Sequence, residues 1–389
     1  MRLALAIGMV TLTLGLASQP MPAQTRAGEA TPLVTIRMVD AQTGWAVWID
    51  KLSGESGLLY TIDGGINWRD VTPLGPSGDK IRVFKITSLS PLIAWVVPVN
   101  NKGIATAEIF RTPDGGRTWK SAVIPARSAS SISFINPHEG WLIAPLSTAM
   151  GIEEDEIYRS TDGGATWIKV ASATKDDNAS GLPIIGPKIA ITFLNPMTGW
   201  ITGLTRRHDW LNLYVTRDRG HTWQQQSIPL PREVAPHWRA RPEPPKFFTA
   251  RDGTLPILYD LLNNSGEQTG RVVVLYATHD GGTTWTYAAP VRIGVSDLTY
   301  QAVGDVNHAW VLNGGVLHAT SDGGRRWTMI PPNPLLADVI QLDFISPKVG
   351  WAVRNRAFYA GGTPTFPFLL KTSDGGITWT PVTYTISRQ

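Results

Sequence analysis

Seven aspartates occupy the same place in a short motif that recurs along the chain. In each copy a Thr or Ser stands two positions before the aspartate, and a tryptophan ends the motif. The copies are 61–68 (TIDGGINW), 112–119 (TPDGGRTW), 160–167 (STDGGATW), 216–223 (TRDRGHTW), 278–285 (THDGGTTW), 320–327 (TSDGGRRW) and 372–379 (TSDGGITW). A carboxylate can act as a general acid or base, or as a calcium ligand. Seven equivalent copies favour a structural role instead, because a catalytic site does not need seven-fold repetition.

The motif has the composition of a tight turn. An aspartate side chain accepts hydrogen bonds from nearby backbone amides, and glycine adopts backbone conformations closed to other residues. The tryptophan then supplies a large apolar surface, which is expected to be buried against its own or the neighbouring sheet. The residues predicted to be structural are Asp63, Asp114, Asp162, Asp218, Asp280, Asp322 and Asp374, with Trp68, Trp119, Trp167, Trp223, Trp285, Trp327 and Trp379.

The elements that hold these turns are predicted to be strands. Most copies follow a short apolar run, a turn and then Gly-Trp or Ala-Trp, as in 36–48 (IRMVDAQTGWAVW) and 342–354 (LDFISPKVGWAVR). Alternating runs bounded by turn formers read as strands, so each unit becomes strands A, B, C and D with the DGG turn between C and D. Seven such units predict an all-β fold, a seven-bladed β-propeller of four-stranded antiparallel blades over 33–389. The last unit is expected to end with its own strand D near Ser387, with closure by packing between blades one and seven.

The motif resembles the Asp-box, or BNR repeat, of sialidases, sortilin-type receptors and the photosystem II stability/assembly factor family. Seven boxes paired with upstream GW strands most resemble the last family and its bacterial relatives outside photosynthesis, over 33–387. The resemblance implies Asp-box turns between strands C and D, and a non-catalytic role in assembling or stabilising an envelope complex. Sialidases also carry an early Phe/Tyr-Arg-Ile-Pro segment, which this chain lacks. An exo-sialidase-like glycoside hydrolase and a carbohydrate-binding propeller are kept as alternatives.

Composition and the N-terminal residues limit the class of protein and its expected cellular location. The chain of 389 residues has no cysteine, which excludes disulfides, and its net charge of +4 is too mild for a typical nucleic-acid binder. Arg2 and the apolar run 3–17 predict a secretory signal peptide over 1–23, followed by a linker over 24–32 and an extracytoplasmic location. An uncleaved N-terminal anchor is the alternative. No zinc spacing, phosphate loop or dinucleotide fingerprint is present, so no cofactor or metal is predicted.

The loops differ between the two faces of the predicted propeller. The A–B and C–D turns are short, whereas the connections on the other face, the long-loop face, include all the long irregular segments. These are the B–C loops 146–156, 204–211, 259–270 and 355–367 and the D–A loops 172–187 and 227–246. Scaffolds carry binding residues on such loops. Loops 204–211 and 227–246 are expected to be near neighbours around blades four and five. They concentrate arginine beside tryptophan that is expected to be exposed, which suits an anionic or aromatic partner. The predicted contacts for a protein partner are Arg206, Arg207, Trp210, Trp238, Arg239 and Arg241.

Two other readings of the long-loop face stay open. The acidic run 153–156 (EEDE) could pair with Arg206 and Arg207 across the blade junction and neutralise them. The long loops could also be neutral insertions.

Overall fold

The computed structural model describes residues 32–50, 53–99, 106–149, 152–177, 179–204, 208–234, 236–295, 299–355 and 368–387. These residues form seven sheets of four or more strands, which confirms the all-β, seven-bladed propeller. Two 3-10 turns, Arg232–Val234 and Pro334–Leu336, interrupt the strands. Within these ranges no helix has the length and apolarity needed to cross a membrane. The predicted signal peptide over 1–23 lies outside the described residues.

The first three blades follow the predicted order A, B, C, D. Blade one contains β1 (Leu33–Met38), β2 (Gly44–Ile49), β3 (Ser56–Thr61) and β4 (Asn67–Asp70). Blade two contains β5 (Val83–Ser88), β6 (Ala94–Pro98), β7 (Ala107–Thr112) and β8 (Lys120–Ile124). Blade three contains β9 (Ser131–Phe134), β10 (Gly140–Ala149), β11 (Ile152–Ser160) and β12 (Ile168–Ala173).

The last four blades keep this order, with additions in blade five. Blade four contains β13 (Lys188–Phe193), β14 (Gly199–Gly203), β15 (Leu213–Thr216) and β16 (Gln224–Gln225). Blade five contains β17 (His237–Pro242), β18 (Lys246–Phe247), β19 (Gly253–Leu262), β20 (Gln268–Thr278), β21 (Thr286–Tyr287) and β22 (Val291–Ile293). Blade six contains β23 (Thr299–Val303), β24 (Ala309–Asn313), β25 (Val316–Thr320) and β26 (Thr328–Met329). Blade seven contains β27 (Val339–Phe344), β28 (Gly350–Arg354), β29 (Leu369–Thr372) and β30 (Thr380–Pro381), and β31 (Thr385–Ser387) ends the described chain.

The tryptophan that follows the A–B turn joins neighbouring blades. Trp141 of blade three is fully buried and stacks on Phe193 of blade four, with ring centroids 3.6 Å apart. Its Nε1 donates a 2.9 Å hydrogen bond to the carbonyl of Arg219, in the motif turn of blade four. The same contact joins Trp95 to blade three and Trp310 to blade seven. The two repeated motifs therefore meet across each of these junctions.

The motif turn has the local bonding expected from its sequence. In blade three, Asp162 accepts hydrogen bonds from the Ser160 hydroxyl (2.8 Å), the Thr166 amide (2.9 Å) and the Thr166 hydroxyl (2.6 Å). Gly163 and Gly164 have φ of 80° and 91°, a region that side chains disfavour. The turn is thus closed by its own residues.

The tryptophan that ends the motif packs in two ways. Five of the seven indoles are buried, and Trp167 donates to the carbonyl of Gly164 within its own turn (3.1 Å). Trp119 and Trp327 are half-buried, and each donates to the preceding blade, at the carbonyls of Val71 and Ala289. Both modes were expected, since the indole was predicted to pack on its own or the neighbouring sheet.

The ring closes between blades one and seven by an additional strand. Strand D of blade seven is β30, and β31 then pairs in parallel with β4 as the fifth strand of blade one. The expectation that blade seven ends with its own strand D near Ser387 is therefore wrong. A strand on the outer edge of blade one satisfies backbone groups that an edge would leave open.

Two polar side chains close the inner side of the same junction. Gln341 of blade seven exchanges two hydrogen bonds with the backbone of Ile36 in blade one, at 2.8 and 2.9 Å. Asp343 accepts a 2.6 Å hydrogen bond from the Met38 amide. The closure therefore combines blade packing, as predicted, with specific bonds that the repeat did not reveal.

Blades three and five carry the longest hairpins. The segments 146–156 and 259–270, expected to be irregular B–C loops, largely continue strands β10 and β11, and β19 and β20. Strand β17 is a second correction, because 237–242 was assigned to a D–A loop and instead pairs with β19. Its arginines and prolines hid an alternation in which Trp238 and Ala240 are buried.

Candidate functional site

The structure brings together the described parts of the two basic, aromatic loops. Asp209, in the B–C loop of blade four, donates its amide to the carbonyl of Trp238 and lies 3.1 Å from Nδ1 of His237. Nη2 of Arg239 lies 3.1 Å from Nε2 of His208. We call residues 208–210 with 237–241 the blade 4–5 crest. The predicted proximity is confirmed for these residues, whereas Arg206 and Arg207 lie outside the described residues.

The tryptophans of the crest are less exposed than predicted. Trp238 is only 5% exposed and packs edge-on against Tyr259, with ring centroids 5.4 Å apart. The expectation of an exposed Trp238 is wrong, because strand alternation directs it into the core shared with blade four. Trp210 is half-buried and donates its Nε1 to Oδ1 of Asn212 (2.9 Å). Their roles in binding a partner stay predictions.

The arginines of β17 lie on the opposite side of the strand from Trp238. Arg241 pairs with Asp260 at 2.9 Å, and the buried Arg271 pairs with the other oxygen of Asp260 at 2.7 Å. One carboxylate thus binds two guanidinium groups. The Arg241 side chain is 46% exposed, so it can meet a partner. Contact by Arg239 and Arg241 with a partner also stays a prediction.

The acidic run 153–156 has partners of its own within blades three and four. Asp155 forms a buried ion pair with Lys188 at 3.2 Å, and Glu156 pairs with Lys169 at 2.9 Å. Burial raises the pKa of Asp155 to about 7, against the opposing charge of Lys188. The suggested pairing with Arg206 and Arg207 falls outside the described residues, but these carboxylates are already bound elsewhere.

A second polar region, missed by the sequence analysis, is the wall of the central channel. Six blades place one strand A residue there at the same register, eight positions before the tryptophan of strand B or, in blade five, before Thr254. We call these residues the inner ring: Arg37, Thr87, Ser133, Thr192, Lys246 and Asp343. Charged residues at the centre of apolar A strands were the signal that could have revealed it.

A large cavity of the channel is cationic. This chamber has a volume of about 910 Å³ and is lined by strand A residues of blades one to five and seven. Arg37, Lys85 and Lys246 contribute positive charge, and no described residue of its lining is a carboxylate. Phe84 is 58% exposed in the wall, and Nζ of Lys246 lies 5.5 Å from the ring centroid of Phe248. The chamber therefore combines cations with exposed aromatic surface.

A smaller cavity of about 180 Å³ holds the carboxylates of the channel, Glu243 and Asp343, beside Arg37 and Lys246. Burial raises the pKa of both carboxyl groups, against the charge of Lys85 near Glu243 and of Arg37 near Asp343. Burial also lowers the pKa of Lys85 and Lys246. Among the residues that the structure describes, no three acidic or histidine groups converge on a metal position.

Comparison with solved structures supports the fold. A structure described as YCF48 bound to D1 peptide matches with a TM-score of 0.52 and 16% identity, over 88% of this chain and 92% of that chain. The GH74 xyloglucanase from Xanthomonas campestris matches with a TM-score of 0.41 and 15% identity, over 90% and 69%. The GH93 α-L-arabinofuranosidase of Fusarium graminearum matches with 0.42 and 14%, over 74% and 90%. No family profile and no curated protein sequence matches the chain. At 16% identity, the likeness to the first of these structures is one of fold.

Proposed function

We propose that this propeller is a non-catalytic, extracytoplasmic scaffold that binds a protein partner on its long-loop face. The observation that carries the proposal is the blade 4–5 crest, where Arg239 lies against His208 of the neighbouring blade and the Arg241 side chain is 46% exposed. Arginine, with its forked guanidinium, is a favoured anchor at protein interfaces. The similarity to YCF48, whose structure holds a D1 peptide, supports protein binding within this fold.

The test removes two charges from the crest and, as a control, two from the opposite face. Arg239→Ala with Arg241→Ala is compared with Arg117→Ala plus Arg325→Ala, two exposed arginines in motif turns. Chemical cross-linking in the envelope fraction, with mass spectrometry, measures the yield of each cross-linked protein. We expect the yield of one specific cross-linked protein to fall at least tenfold in the crest variant and to stay unchanged in the control. Equal cross-linking by both variants would reject the crest as the binding surface.

The extracytoplasmic location rests on residues 1–23 and has its own test. Fractionation of cells with intact and disrupted envelopes, followed by N-terminal sequencing, should find a protein outside the cytoplasm that begins at Ser18 or Gln24. A cytoplasmic protein that begins at Met1 would contradict it.

Glycoside hydrolysis is the second candidate function, because Glu243 and Asp343 share one cavity and both have raised pKa values. Such hydrolases use one carboxyl group as acid and a second as base or nucleophile. Both groups have ionic neighbours here, and Asp343 also holds the Met38 amide, which favours a structural role. Turnover of an arabinan, xyloglucan or sialoside that is lost in Glu243→Gln would establish the enzyme.

A further inference from the structure

We propose that the central chamber binds a small organic anion that carries a carboxylate or phosphate group on an apolar ring. The site lies in the channel and is separate from the blade 4–5 crest, so it does not depend on the proposed protein-binding role. The chamber of about 910 Å³ is within the range of small-molecule pockets.

The charge of the wall selects for an anion. Three strands from blades one, two and five bring Arg37, Lys85 and Lys246 to the same chamber, whose described lining holds no carboxylate. The adjoining smaller cavity sets Glu243 near Lys85 and Asp343 near Arg37 and Lys246. Among these five described side chains, three are cationic and two are acidic. A ligand with one negative charge would balance this set.

The hydrogen bonds of the cations leave capacity for a ligand. The Lys246 ammonium donates to the Val303 carbonyl at 2.7 Å, and the Lys85 ammonium reaches the Ser131 hydroxyl only at 3.5 Å. An ammonium has three donors, so each retains at least one for an anionic oxygen. The partly exposed guanidinium of Arg37 presents a fork that matches carboxylate or phosphate. Burial already disfavours the charged lysines, and an anion beside them would reverse this effect.

The apolar part of the ligand is indicated by Phe84. Its ring is 58% exposed although it lies on an inner strand, at an irregular step in the pairing of β5 with β6. Phe248 lines the same chamber. Aromatic rings gain from stacking on another ring or apolar body, so an anion with a planar ring fits better than an inorganic ion.

The test uses calorimetric titration of the full chain with four probes: benzoate, phenyl phosphate, acetate and the neutral benzamide. We expect benzoate or phenyl phosphate to bind, whichever head group the site prefers, and at least tenfold more tightly than acetate or benzamide. Arg37→Gln and Lys85→Met should each weaken the preferred probe at least tenfold. Lys120→Met, on the outer strand β8, is the matched control and should bind as the wild type does.

Two outcomes separate the ionic and aromatic contributions. Phe84→Ala should weaken the preferred aromatic anion at least fivefold and leave acetate unchanged, while circular dichroism confirms the fold of every variant. Benzamide binding as tightly as benzoate, or no binding of either aromatic anion by the wild type, would overturn the proposal. Loss of binding in Lys120→Met equal to that in Lys85→Met would overturn it as well. None of these variants touches the crest, so the cross-linking result stands independently.

Discussion

The motif turns and the inner ring differ in how they affect the pKa of their carboxyl groups, although both repeat around the propeller. In the turn of blade three, slight burial raises the pKa of Asp162, but hydrogen bonds from Thr166 and Ser160 outweigh it and bring the pKa to about 2. In the channel, burial raises the pKa of Asp343 and lowers that of Lys246. The turns therefore favour the ionised carboxylate, whereas the channel wall favours neutral groups.

The two regions also differ in how they vary around the propeller. All seven turns keep the aspartate, and every blade bonds it to the Thr or Ser two positions earlier. The inner ring changes instead from arginine to hydroxyl residues, lysine and aspartate at one register. Repetition thus marks positions that serve each blade, and variation at a repeated position marks the place to look for binding.

The largest expected effect tests whether stability resides in the repeated framework. Trp141→Ala should lower the free energy of unfolding by about 3–5 kcal/mol, because it removes a fully buried ring that joins two blades. Ser133→Ala, at the inner-ring position directly across the strand pair, should change it by less than about 1 kcal/mol. Urea denaturation measures both. Similar losses in the two variants would break the distinction.

A second prediction compares the outer and inner closures. Removal of residues 385–389 deletes β31 and its bonds from Thr385 to Ile66 and Asn67, and from Ser387 to Trp68. At about 1 kcal/mol for each hydrogen bond, we expect a loss of about 2–3 kcal/mol. Denaturant unfolding of the truncated chain, with a Thr385→Ala control that keeps the strand, measures it. A negligible loss would leave closure to blade packing and to the other bonds of this junction, such as those of Gln341 and Asp343.

The third prediction tests equivalence of the turns. Asp162→Ala and Asp374→Ala should each lower the free energy of unfolding by about 1–2 kcal/mol, since each removes an acceptor of several hydrogen bonds within its turn. The two losses should agree, and neither variant should lose the specific cross-link described above. Loss of that cross-link in a variant whose free energy of unfolding is unchanged would show that the aspartate has a binding role.

Sequence reasoning predicted the features that repeat in every blade and missed those that occur only once. Seven copies of the turn motif, six of them with an upstream Gly-Trp or Ala-Trp strand, sufficed for the blade number and strand order. The exposure of Trp238 was predicted incorrectly, since arginines and prolines around it concealed the alternation of β17. The strand β31 could not be predicted, because its partner β4 lies more than 300 residues earlier and only closure of the ring brings them together.

The candidate sites show the same limit. The proximity of 208–210 to 237–241 followed from the order of the blades, whereas the bonds between Asp209 and His237 depend on side-chain placement. The inner ring was visible in principle, since aligning the copies on the strand B tryptophan places Arg37 and Asp343 in one column. Which of these charges meet in one cavity required the closed ring.

The smallest effect expected is a pair of opposite pH dependences. The turn aspartates have a pKa below the ordinary value of 3.8, at about 2 for Asp114, Asp162 and Asp280. As the pH falls, these aspartates bind protons in the unfolded chain before they do so in the folded chain. The stability that they contribute is therefore present above pH 4 and is lost as the pH falls towards 2. Asp343 has a raised pKa, so folding takes up a proton there and stability falls as the pH rises above 4.

Asp343→Asn separates the two effects, because the amide cannot ionise while its oxygen can still accept the Met38 amide. The melting temperature of this variant, measured between pH 2 and pH 8, should fall below pH 4 as it does in the wild type. Above pH 4 it should decline less than in the wild type. In Asp162→Ala, the loss of stability as the pH falls below 4 should be smaller than in the wild type, and the decline above pH 4 should be unchanged. The melting temperature of each is compared with the wild type at the same pH. If Asp343→Asn steepens the decline above pH 4, the ionised carboxylate stabilises the junction of blades one and seven, and the channel wall would resemble the turns after all.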